Sequence, residues 1–273
     1  MSNYPYISGL DHVVINVPDL EAAVRDSEKL FRKEATGRGK YEGGDACLFQ
    51  FANTGLLLRE AEGEFGLAEV CFEVPRADRF LRRLKAIDLG SNIQNRADPY
   101  ETLSSAGTNS DVYELSSKDC RSLHFSFVER SSDWASQKGE KSGHGLVKAM
   151  DHLVIRTQNT DAIMALLGAR LGLNLRLDIN RPEWGAQLLF FRCGDMVLEV
   201  ARQLKDDSLG AEEDYFWGIS WRVEDAARAV ESLRAQGVDV SEARKGRRPG
   251  TEVFTVRDHN CDVPTIMLQT PKR

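Results

Sequence analysis

The stretch Gly9–Phe31, GLDHVVINVPDLEAAVRDSEKLF, decides how the chain is read. Its opening residues alternate, so that Val13, Ile15 and Val17 share one face of a strand while His12, Val14 and Asn16 share the other. A Val-Pro-Asp turn follows, and Asp19 stands where a helix N-cap belongs, just ahead of an amphipathic run. The same order returns at 150–173, MDHLVIRTQNTDAIMALLGARLGL. Weaker copies lie at 66–90 and 217–238, with Asp78, Asp161 and Asp225 as the matching caps. After each helix come β-rich runs, at 46–60, 111–129, 186–201 and 251–269, broken by turn signals such as Asn53-Thr54-Gly55 and Cys193-Gly194-Asp195. The repeating unit is therefore β-α-β-β-β, about 60 residues long, and it occurs four times.

The predicted fold is α+β, four such modules forming two cupped domains, 1–132 and 148–273. The polar, Gly/Ser-rich segment between them, 133–147, reads as a linker containing His144. At 273 residues with 41% hydrophobic and 29% charged residues, the chain can bury a core and stay dissolved. No apolar run reaches the roughly 20 residues of a membrane span, and the N-terminus lacks a secretory pattern. A net charge of −6 argues against nucleic acid as a partner. Five cysteines without a CxxC fit reduced thiols, so a cytoplasmic location is expected.

Helix-covered apolar faces leave polar residues on the opposite face of each sheet: His12 and Asn16, Glu69, Cys71 and Glu73, His124 and Ser126, His152 and Arg156. With the Asp-His openings and the β-α-β-β-β repeat, these features resemble the vicinal oxygen chelate superfamily of glyoxalase I, the bleomycin-resistance proteins and the extradiol dioxygenases. The resemblance covers nearly the whole chain outside the linker. It implies metal ligands on the first and last strands of each module. Here those positions are His12, Glu69, His152 and Gly218 on first strands, and Arg59, His124, Glu199 and Ile266 on last strands, to within about one residue. No thiolate falls on them, which disfavours a structural zinc site and suits Fe, Mn, Ni or Zn in a catalytic one.

Module pairing chooses the ligand set. If modules 1 and 2 pair, the first cup holds His12, Glu69 and His124 beside Arg59, and the second only His152 and Glu199. If modules 2 and 3 pair, the set becomes Glu69, His124, His152 and Glu199. An extradiol pattern is not met in full, because Gly218 and Ile266 stand where that branch places ligands. A His124–Glu69 hydrogen-bonded pair would satisfy both groups without metal. Glu199, in an apolar strand, is either a ligand, the catalytic general base or an edge residue. Arg59, Arg156 and Trp184 are the expected substrate-binding residues, Arg59 clamping a substrate carboxylate, or else lying on the surface as an ordinary arginine. Trp221 follows core spacing, and Trp217 joins Trp184 as a pocket candidate. The basic stretch Arg244–Gly250 reads as a solvated turn between strands, with closure over the second cup as the rarer alternative, and His259 as an exposed hairpin residue.

The resemblance implies a metal-dependent enzyme, a lyase, isomerase or dioxygenase, chelating oxygens of a small organic substrate. The rival is a non-catalytic, metal-free small-molecule binder similar to the bleomycin-resistance proteins. A homodimer is a possible assembly.

Overall fold

The computed structural model describes residues 5–103, 110–131, 145–204 and 213–271. Most of the expected linker, His144 included, lies outside the described residues. In the N-terminal half the elements are β1 (Gly9–Val17), α1 (Leu20–Phe31), β2 (Gly37–Tyr41), β3 (Gly44–Gln50), β4 (Gly55–Glu60), β5 (Gly66–Glu73), α2 (Ala77–Ala86), β6 (Gln94–Arg96), α3 (Pro99–Leu103), β7 (Val112–Glu114) and β8 (Phe125–Val128). The C-terminal half repeats them. It contains β9 (Val147–Arg156), α4 (Thr160–Met164, continued by a wider turn to Arg170), β10 (Asn174–Arg181), β11 (Ala186–Cys193), β12 (Met196–Gln203), β13 (Tyr215–Val223), α5 (Ala226–Arg234), β14 (Arg244–Lys245), β15 (Glu252–Val256) and β16 (Thr265–Gln269).

Each half is one curled eight-stranded sheet, ordered β2-β3-β4-β1-β5-β8-β7-β6 and β10-β11-β12-β9-β13-β16-β15-β14. Modules 1 and 2 therefore share a sheet through antiparallel β1 and β5, and modules 3 and 4 through β9 and β13. The architecture is α+β with two cupped domains. Helices pack on the outer faces, where Val13, Ile15, Val24, Phe72, Phe80, Leu153, Ile155 and Trp221 belong to one continuous apolar core that spans both halves. Trp221, buried as its spacing predicts, packs on Phe31 and Phe51 of the other half at 5.2 and 4.5 Å between ring centroids.

Two helix caps differ from expectation. Asp19 and Asp225 do cap α1 and α5, accepting from Ala22 N and Arg228 N at 2.9 and 3.0 Å. Asp78 and Asp161 instead lie inside the first turns of α2 and α4. The α4 cap is Asn159, and Glu129, arriving from beyond β8, accepts from Ala77 N at the start of α2. A carboxylate inside the first turn still favours the helix through its dipole, which is why the sequence signal looked the same. His259 also differs: it is largely buried against α1, near Asp258 at 2.8 Å and Asp26 at 3.6 Å.

Candidate functional site: two cups of unlike construction

Strand register sets which side chains share each cup. In the first sheet His12 stands across from Cys71, and Cys71 from Ser126. In the second, His152 stands across from Ser220, and Ser220 from Ile266. Glu199 is in register with Val154, and the corresponding partner of Val14 is Leu57. Arg59 therefore does not match Glu199. It pairs with Asn16, one pleat further along, beyond the register slip allowed for in the sequence reading. The same shift puts Cys71, not Glu69, opposite His12, so a thiol does face the first cup.

The first cup is filled by its own chain. Tyr100 and Leu103 of α3 pack on Val14, Leu48 and Leu57, and Tyr100 is only 1% exposed. Gly55 makes this possible, since a Cβ there would lie 2.1 Å from the Tyr100 hydroxyl. Beside the helix, Arg130 bridges two buried carboxylates, donating to Asp11 at 2.8 and 2.9 Å and also to Asp98. Asp11 in turn holds His12 Nδ1 at 2.8 Å. His12 is fully buried, and its Nε2 has no hydrogen-bond partner.

Glu69 and His124 do not join His12. Among the described residues, the group whose ligand atoms lie within 4.8 Å of one another is Asp11, His12 and Cys71. Glu69 accepts from Ser126 Oγ at 2.5 Å and from Arg96 at 2.7 Å. Burial alone would push its carboxyl up, but the Arg96 and His12 charges and the Ser126 hydroxyl hold it below its ordinary value. His124 is half exposed, 3.6 Å from Glu114. These side chains and Arg59, itself engaged by Glu42 and by Asn16 Oδ1 at 3.0 Å, line a charged cleft of about 460 Å³ at the cup mouth. The donor set His12, Glu69 and His124 does not fit a metal, because the carboxylate is consumed by an arginine and a hydroxyl.

The floor of the second cup keeps partly exposed side chains. Leu177, Phe190, Glu199 and Val154 form one row across its floor, and His152, Ser220 and Ile266 the next. His152 Nε2 lies 3.7 Å from Glu199 Oε2, and both side chains are 18% exposed. Asp151 holds His152 Nδ1 at 2.9 Å, and Arg222 donates to Asp151 at 2.8 Å. Desolvation would raise the Asp151 carboxyl, but His152 and Arg222 keep it below its ordinary value. A carboxylate that accepts from Nδ1 leaves the Nε2 lone pair directed into the cup. Ser220 Oγ is buried with no partner, the kind of orphan that a bound group satisfies. Imidazole, carboxylate and hydroxyl fit a hard-to-borderline divalent ion.

Around this floor, Arg156 lies over the Trp217 ring at 5.1 Å. Arg247, from the loop between β14 and β15, lies over Trp184 at 4.6 Å. That contact joins the two edges of the sheet, so the stretch expected as a free turn does reach across the second cup. Leu177, Trp184, Tyr215 and Trp217 are all exposed.

The sequence reading placed Cys71 on the cup face without a role and did not single out Ser220, Tyr100 or the Arg130 bridge. Cys71 and Ser220 were legible as face partners of the two histidines, but only the strand register brings them opposite.

Residues 151–255 match the family described as the glyoxalase/bleomycin resistance protein/dioxygenase superfamily. No curated protein matches the chain by sequence. Among solved structures, the chain is similar to a mutant of 4-hydroxymandelate synthase from Streptomyces coelicolor, with TM-score 0.70 and 11% identity over 99% of this chain and 95% of that one. It is also similar to the Mn(II)-bound glyoxalase from Novosphingobium aromaticivorans, with TM-score 0.68 and 12% identity over 98% and 84% of the two chains. For the halotolerant catechol dioxygenase BphC the values are 0.67 and 11%, over 96% and 87%. Residues 151–255 thus carry the match to the glyoxalase, bleomycin-resistance and dioxygenase superfamily, and the two-cup fold of the whole chain is shared with these solved structures.

Proposed function

We propose that the protein is a metal-dependent enzyme of the glyoxalase/dioxygenase type and that its working site is the C-terminal cup. One observation carries this reading: His152 Nε2 and Glu199 Oε2 stand 3.7 Å apart and partly exposed on the cup floor, with His152 held at Nδ1 by Asp151. A divalent ion held by this pair would supply Lewis acidity to oxygens of a small organic substrate. Asp151, anchored by Arg222, keeps the imidazole in the tautomer and orientation that present Nε2. Glu199 serves as ligand and is also placed to accept a proton from a bound substrate. The apolar row Leu177, Phe190 and Val154 excludes water from one side of that substrate, while Arg156 and Trp184 contact it from the rim. Arg59 has no part in this site, being committed to Glu42 and Asn16.

The test is thermal unfolding of purified protein with and without a chelator, followed by add-back of Mn, Fe, Ni or Zn. An ion bound only by the native state must raise its stability. The expected result is a fall in Tm on chelation, restored by one of these ions in the wild type but not in His152→Ala or Glu199→Gln. An indifferent Tm sinks the proposal. It would favour the second reading, a metal-free binding protein, for which the exposed Trp217 and Leu177 around the same cup are the supporting observation.

A further inference from the structure

The charged cleft of about 460 Å³ beside the N-terminal cup takes no part in the C-terminal site. Its walls come from both halves of the chain. Arg59 of β4, Arg96 of β6 and Glu114 of β7 line one side, and Asp214, Tyr215 and Phe216, where β13 begins, line the other. The second wall is fixed in place, because Arg121 donates to the Asp214 carboxylate at 2.7 Å and the Arg121 carbonyl accepts from Asp214 N at 2.9 Å. A concavity of this volume has room for a small organic molecule.

Most charges in the cleft answer one another. Glu42 accepts from Arg59 and Arg96, Glu69 accepts from Arg96 and Ser126, and Asp214 is matched by Arg121. Glu114 stands outside this balance. Its carboxylate lies 3.6 Å from Arg96 Nη1 and 3.6 Å from His124 Nδ1, beyond hydrogen-bond distance of each. Arg96 cannot turn to it without leaving two other carboxylates. Glu64 adds a further exposed acid to the lining, so the cleft has an excess of negative charge. Phe65 and Tyr215, both exposed, stand on the same cleft. Aromatic faces next to an unmatched carboxylate recognise a cation that has an apolar body, through the ring faces and the charge together.

We propose that this cleft is a second small-molecule site, for an organic ammonium ion with an aromatic ring. The ammonium group donates to Glu114, and the ring packs on Tyr215 and Phe65. An anion would meet Glu114 and Glu64 with no arginine free to answer it, since Arg59 is engaged by Glu42 and Asn16, and Arg96 by Glu42 and Glu69. This inference does not rest on the reading of the C-terminal cup.

The experiment titrates phenethylamine into the full-length chain by isothermal titration calorimetry, beside phenethyl alcohol and hydrocinnamate, which keep the ring and change the charge. The amine is expected to bind at one site per chain and at least about tenfold more tightly than either analogue. Glu114→Gln should weaken it about tenfold, the size of one charge-assisted hydrogen bond. Tyr215→Ala should weaken it severalfold through the lost ring contact. The chain carrying both His152→Ala and Glu199→Gln should bind the amine as the wild type does. Should Glu114→Gln fail to fold, Tyr215→Ala and the analogue series decide the matter. Absence of amine binding, equal affinity for the alcohol or the carboxylate, or binding unchanged by Glu114→Gln and by Tyr215→Ala overturns the proposal. Loss of amine binding in the His152→Ala, Glu199→Gln chain would place the ammonium in the C-terminal cup and overturn it as well.

Discussion

The Tyr100 ring stands edge-on to His12, 5.9 Å between ring centroids and 74° between planes. Through this contact a helix of its own chain covers His12 in the first cup, while the side chain of His152, the matching residue of the second half, is 18% exposed.

Removing the room for that contact should damage the fold locally. In Gly55→Ala the new Cβ would lie 2.1 Å from the Tyr100 hydroxyl and 3.2 Å from a Leu48 methyl, so α3 must shift. Destabilisation of about 1–3 kcal/mol is expected in chemical denaturation, the range for overpacking. Gly9→Ala is the control, since nothing lies within 4 Å of a Cβ there.

Arg130 should be among the most sensitive positions in the chain. Its guanidinium is 1% exposed and bridges Asp11 and Asp98, both fully buried. Arg130→Ala removes the cation between two buried carboxylates, and a loss of about 3–5 kcal/mol is expected by urea titration. A variant as stable as the wild type would mean that α3 is not held by this bridge.

Glu69 gives a pH dependence with a defined sign. Its folded pKa lies below the ordinary 4.5 because Arg96, His12 and Ser126 outweigh desolvation. Its contribution to stability is thus present above the unfolded pKa and is lost as pH falls through the folded value. The Tm gap between wild type and Glu69→Gln should be widest near neutrality and should narrow below about pH 4. A gap that is constant with pH would show that the carboxylate is not paired.

Arg156 should act on substrate and not on metal. It lies over Trp217 on the cup face, two pleats from His152, and Arg156→Gln is expected to raise KM or Kd for an anionic ligand about tenfold with metal content unchanged. The check is ligand-induced quenching of tryptophan fluorescence, run beside elemental analysis of the same sample.

The fold was legible because one pattern recurs: the alternation in Asp11–Val17, a turn and a helix carry enough information to predict the modules and the buried Trp221. The site was less so. Whether Glu69 or Cys71 stands opposite His12 depends on the register of β1 against β5, which shifts between Leu10 and His12 and again between Val14 and Ile15. No local rule reveals a shift of that kind. Pairing of modules 1 and 2 is likewise a property of the sheet, and α3 is a short helix without periodicity whose role as a plug depends on Gly55. Face membership was readable at each strand, but distance between faces was not.

The most direct test of the C-terminal site is titration of chelator-treated protein with Mn²⁺, followed by electron paramagnetic resonance of the free ion. Manganese prefers nitrogen and oxygen donors, so the buried thiol does not compete for it. The account predicts about one bound Mn²⁺ per chain in the wild type and in Cys71→Ser, with binding lost in both His152→Ala and Glu199→Gln. Equal binding by the wild type and His152→Ala, or none by either, would contradict it.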